Sequence, residues 1–152
     1  MRRVLQPRAV LLTDEGTNGL SVHLINESSQ VLRATLEVAL LKTTGIQVER
    51  GTLAVELQAR ENRELPLAAL LPGFMDVTYS YRFGPPICDV VVASLRGPDG
   101  QLIARDQFFP AGYAFARDED VALAGEVTAL ADGGYSLDLR AARIARYVTL
   151  DA

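Results

Sequence analysis

The chain has 152 residues, 49% of them hydrophobic and 22% charged, with a formal net charge of −4. A chain of that size can build one substantial core. Its acidic balance argues against a nucleic-acid partner, which needs a basic field. Cys88 is the single cysteine and excludes an internal disulfide.

Period two dominates the chain. Val10–Thr13 reads as a first strand and Gly16-Thr17-Asn18-Gly19 as the turn after it. Leu20, Val22 and Leu24 then alternate with Ser21 and His23. Leu32, Ala34, Leu36, Val38 and Leu40 alternate with Arg33, Thr35, Glu37 and Ala39. Leu53, Val55 and Leu57 form another such run, after turns expected at Thr43-Thr44-Gly45 and Arg50-Gly51. Glu64–Leu71 reads as a strand ending in a short turn, because Pro66 and Pro72 bracket it too tightly for a helix. Val77, Tyr79, Tyr81 and Phe83 alternate with Thr78, Ser80 and Arg82, and Gly84-Pro85-Pro86 closes that run. Val90–Val92 and the residues before Phe108-Phe109-Pro110 complete the series. Strands with one buried and one wet face, separated by Gly/Pro turns, point to an all-β, immunoglobulin-like antiparallel β-sandwich.

The composition changes near Pro110. The division expected is a sandwich over 8–110, a linker over 111–118 and a partial β unit over 119–152. That unit offers about three strands, Val121–Ala131, Tyr135–Leu139 and Tyr147–Leu150, with Leu139–Arg146 as one helical turn or an irregular crossover. Three strands are too few for a sandwich of their own. They are expected to pack on the first unit, pair with another chain as a homo-oligomer, or belong to a truncated domain.

Candidate sites are sparse. His23 should face outward, and a lone histidine without further ligands is no metal site. Asp14-Glu15 and Asp118-Glu119-Asp120 read as solvated turns. Asn26-Glu27-Ser28 matches a glycosylation acceptor by chance spacing. Cys88 sits beside the apolar Val90-Val91-Val92 and reads as a buried structural residue. The residues singled out for a structural or inter-domain role are Tyr79, Tyr81, Arg82 and Phe83. Their alternation sets the three rings on one face, as a core strand requires, whereas an exposed sugar platform would favour tryptophan, which the chain lacks. No catalytic group, cofactor or metal site is expected. No apolar run reaches the length of a membrane span, and Met1-Arg2-Arg3 opens no apolar leader. The chain as given is therefore expected to be cytoplasmic, with a periplasmic parent left open.

Two stretches carry a family likeness. Leu71-Pro72-Gly73 with Asp76–Pro86, and Asp89–Ala93, resemble the immunoglobulin-like sandwich that follows the catalytic barrel in bacterial β-mannosidases of glycoside hydrolase family 2. Asp14–Leu20 with Val22–Asn26 looks like the opening of that domain, Phe108-Phe109-Pro110 like its end, and Tyr135–Leu139 with Ala145–Leu150 like the start of the family's last β domain. The resemblance implies a parent enzyme that hydrolyses terminal β-mannosides with retention, using two glutamates on a barrel. No barrel is present here, so neither glutamate is assigned. It further implies that this chain is not itself an enzyme, that its partner is the parent's catalytic barrel, and that it acts as an accessory domain. The alternative is a stand-alone module binding carbohydrate or protein.

Overall fold

The computed structural model describes residues 6–73, 75–78, 84–112, 120–146 and 148–150. Among the described residues nine strands run in order: β1 Arg8–Asp14, β2 Leu20–Asn26, β3 Leu32–Leu41, β4 Gln47–Leu57, β5 Glu61–Pro66, β6 Val90–Arg96, β7 Leu102–Phe108, β8 Ala124–Ala129 and β9 Tyr135–Arg140. Every ladder is antiparallel. One sheet has the order β1-β2-β5, a second β4-β3-β6-β7, and β8-β9 stand as a separate hairpin. The first, second and fifth strands share one sheet and the third, sixth and seventh the other, as in immunoglobulin sandwiches. Here the fourth strand lies beside β3 and not beside β5.

The alternation explains the layering. In β3, Leu32, Ala34, Leu36, Val38 and Leu40 are all buried, while Thr35, Glu37, Ala39 and Leu41 are half-buried on the other side. Leu57 of β4 and Val91, Ala93 and Leu95 of β6 flank them in the same sheet, and Val22 and Leu24 of β2 join them from the other sheet in one core. Each fully buried leucine contributes about 1.5–3 kcal/mol through removal from water. The sheets also meet at their edges. The Leu12 amide of β1 donates to the Asp106 carboxylate of β7 at 2.8 Å, so a side chain satisfies an N–H that no ladder partner reaches.

Three sequence expectations change here. Arg50-Gly51 lies inside β4, paired with Ala39 and Val38, and is not a turn. Gly51 is buried, and a Cβ there would sink into the Leu70 carbonyl group, 2.9 Å from its carbon. The glycine serves a close backbone approach and not a reversal of the chain. The run expected as a strand from Val77 begins as a turn. The Asp76 carboxylate accepts from the Thr78 amide at 3.1 Å and its hydroxyl at 3.3 Å, and consecutive Val77 and Thr78 are both buried. The expected strand Tyr147–Leu150 is also absent among the described residues, since 148–150 are irregular and Tyr147 lies outside them. By contrast, Glu64–Leu71 does end its strand in a short 3-10 turn, Leu67–Ala69.

After β9 the chain runs irregularly back to the sandwich. The Ile144 amide donates to the Thr43 carbonyl at 3.3 Å. The Arg146 guanidinium stacks on the Phe109 ring, 4.6 Å from its centre.

Candidate functional site

Tyr79, Tyr81, Arg82 and Phe83 lie outside the described residues. The end of their segment is firmly anchored. Lys42 Nζ donates to the Pro86 carbonyl at 2.6 Å, and the Asp89 carboxylate accepts from the Thr43 amide at 2.7 Å. The Asp89 amide donates to the Leu41 carbonyl at 2.8 Å. Pro86 and Asp89 are thereby pinned to the β3–β4 turn. Cys88 lies beneath, 1% exposed, and burial pushes its thiol up to about 11. A thiol held protonated and covered is a packing residue.

His23 points away from the core with 31% of its side chain exposed. Its Nε2 lies 2.8 Å from the Thr13 hydroxyl and 3.8 Å from Glu15, and the Thr13 hydroxyl donates to Glu15 at 2.6 Å. A hydroxyl, an imidazole and a carboxylate thus gather on the outer face of β1–β2. Their order is wrong for a triad. The carboxylate holds the hydroxyl and approaches the same ring nitrogen, whereas an activating carboxylate would orient the opposite nitrogen.

Asp14-Glu15 leads into a 3-10 turn, Gly16–Asn18. Asp14 accepts from the Gly16 amide at 2.9 Å, and Asp120 accepts from the Ala122 amide at 3.0 Å. Asp118 and Glu119 lie outside the described residues. Asn26 is fully buried. Its amide nitrogen donates to the carbonyls of Gln30 and Gln58, each at 2.8 Å, and its oxygen accepts from the Ser28 hydroxyl at 2.6 Å. This side chain stitches the β2–β3 corner to the β4–β5 corner and is closed to glycosylation.

One surface feature among the described residues is one that sequence reasoning did not assemble. Glu37 of β3 stands between two arginines on the outer face of the four-stranded sheet, with Arg96 Nε at 2.9 Å and Arg50 Nη2 at 3.4 Å. Arg105 of β7 donates to the Ser94 hydroxyl at 3.1 Å. These residues border a shallow cleft of about 470 Å³, closed at one end by Ile144 and Ala145. The wet face of β3, Glu37 included, was legible from its alternation. The cross-strand register that brings β4, β3, β6 and β7 together was not.

Comparison with known proteins gives a fold relationship. No family model and no curated protein matches the chain. Solved structures do. The crystal structure of the exo-chitosanase CsxA of Amycolatopsis orientalis is 12% identical, covering 91% of this chain and 18% of its own, at a TM-score of 0.52. A variant of that enzyme in complex with PNP-beta-D-glucosamine is 13% identical, covering 95% of this chain and 19% of its own, at 0.54. At such identity the likeness establishes the fold alone. The chain spans less than a fifth of the length of the enzyme chains it matches.

Proposed function

We propose that this chain is a non-catalytic, immunoglobulin-like accessory region of a glycoside hydrolase of family 2, docked beside the barrel that carries the chemistry. One observation carries the reading: nearly the whole chain superimposes on a small part of a much larger glycosidase, 91–95% of one against 18–19% of the other. The resemblance of Leu71–Pro86 and Asp89–Ala93 to β-mannosidase sandwiches supports the same family and favours a β-mannoside as the parent's substrate. CsxA is described as an exo-beta-D-glucosaminidase, which keeps a β-linked amino sugar as the competing specificity.

The terminal hairpin supports the reading on physical grounds. Gly125, Val127 and Ala129 of β8 lie opposite Leu139, Leu137 and Tyr135 of β9. They form one apolar face, yet Val127 is 64% exposed and Tyr135 76%. A two-stranded hairpin is marginal on its own, and an apolar face of this kind is written to be covered. In this reading, residues 8–110 brace the parent enzyme and 119–152 open a further β unit.

An immunoblot of source-cell extract against the chain tests the proposal, together with hydrolysis of aryl β-mannosides and aryl β-glucosaminides by the purified chain and by the detected species. The expected result is a band several times larger than 152 residues, with all glycosidase activity in that species. A band at the size of this chain alone, or hydrolysis by the purified chain, overturns it.

A further inference from the structure

We propose that the cleft on the outer face of the four-stranded sheet is a binding site for a small organic carboxylate with a compact apolar body. This inference stands on the cleft itself and does not depend on the parent enzyme.

The register gives the site its shape. Arg50, Ala39, Val92 and Gln107 form one cross-strand row over β4, β3, β6 and β7. Thr52, Glu37, Ser94 and Arg105 form the next row. Half-buried Ala39 and Val92 thus make a small apolar floor between polar side chains. Neighbouring strands are about 4.8 Å apart, so Arg50 and Gln107 rise roughly 14 Å from each other across that floor. Ile144 and Ala145 close one end. A volume of about 470 Å³ lies within the usual range for small-molecule sites.

The charge gives the site its preference. Three guanidinium groups face a single carboxylate, Glu37, in a chain whose net charge is −4. Glu37 holds Arg96 Nε, and the Gly100 carbonyl holds Arg96 Nη1, so that fork is fixed in place. Ser94 takes Arg105 Nε and leaves its two terminal nitrogens without a protein acceptor among the described residues. An oriented fork with open donors matches a carboxylate in a bidentate fashion. Glu37 is one negative charge shared between Arg50 and Arg96, so the cleft keeps a positive surplus at neutral pH. The apolar floor selects against a bare inorganic ion.

The test is an NMR titration of the full chain with phthalate, whose two carboxylates flank a flat apolar ring, beside phthalamide, sulfate and a hexaglutamate peptide. Saturable shifts at Ala39, Val92, Ser94 and Arg105 with phthalate, and none with phthalamide, are expected. Arg105→Gln and, separately, Arg50→Gln should weaken binding about tenfold or more, the scale of one lost charge-assisted pair. Arg33→Gln, on the same sheet face but outside the cleft, should leave it unchanged. Absence of saturable binding, equal binding of sulfate, preference for hexaglutamate, or insensitivity to both cleft substitutions each overturns the proposal.

Discussion

Replacing Asn26 by Asp exchanges one amide nitrogen for an oxygen and nothing else. In the native protein that nitrogen faces the Gln30 and Gln58 carbonyl oxygens at 2.8 Å and the Leu57 carbonyl at 3.4 Å, with no exposed surface. The substitution sets a carboxylate oxygen against those acceptors. Two hydrogen bonds are lost, and an uncompensated charge is left buried. The expected loss at neutral pH is about 3–5 kcal/mol, a large part of the ~5–15 kcal/mol a domain holds. Asn26→Leu loses the bonds without the charge and should cost about 2–4 kcal/mol. The two variants differ in their pH dependence. Burial among carbonyls raises the folded-state pKa of the new carboxyl above the unfolded value of about 3.9. Between those two values the folded state holds a proton that the unfolded state has released, so stability relative to wild type falls as pH rises through that window. Below about pH 3.9 the protonated carboxyl can donate again, and the penalty shrinks toward that of Asn26→Leu. Urea unfolding of all three proteins across the acid-to-neutral range measures this. A penalty for Asn26→Asp that is small at neutral pH, or flat with pH, would refute the argument that this amide bridges the two corners.

Gly51→Ala should cost about 3 kcal/mol, near the top of the usual overpacking range. Its Cβ meets the backbone of Leu70, which cannot swing away as a side chain could. Gly73→Ala, where nothing lies within 4 Å of the new Cβ, is the control expected to be near neutral in the same denaturation assay. Cys88 gives an alkaline prediction. Its folded thiol titrates at about 11 against 9.0 for the free group, so the folded state keeps a proton that the unfolded state loses. Stability is fully present below pH 9 and falls through the window to 11, by roughly 2–3 kcal/mol. Cys88→Ala should remove that slope. A wild-type curve parallel to the variant's, or rapid labelling of the native thiol at neutral pH, would contradict the buried assignment.

The strands whose two faces differ were readable from sequence because alternation is a local property. β2 and β3 fall where Leu20–Leu24 and Leu32–Leu40 put them. Features set by two distant segments were not readable. Gly51 reads as punctuation because glycine reaches the positive φ that turns need, and only the approach of Leu70 shows its purpose. Val77 fitted an alternating run, but an aspartate two residues before a threonine offered the backbone a competing turn, and that turn won. The arginine cleft was hidden for the same reason as Gly51. Glu37 reads as a wet strand position and Arg50 as part of a turn, nothing local singles out Arg96 or Arg105, and only strand order makes the four neighbours.

The sandwich and the hairpin solve the burial problem differently. Each strand of the sandwich finds its apolar partners within the chain, down to 0% exposure at Leu24, Leu40, Leu57 and Leu95. The hairpin obeys the same period-two rule and finds no cover among the described residues. Its polar face even sets Glu126 directly opposite Asp138, a like-charge pair that weakens the ladder. Local propensity therefore does not account for the hairpin by itself. Burying Val127 and Tyr135 would return about 1.5–3 kcal/mol for each side chain, comparable with the deficit of an isolated strand pair. The tail beyond β9 also returns to the sandwich at Thr43 and Phe109. The hairpin is thus tethered at its C-terminal side while its apolar face stays open. In the reading proposed above, that open apolar face is the surface a neighbouring β unit would cover.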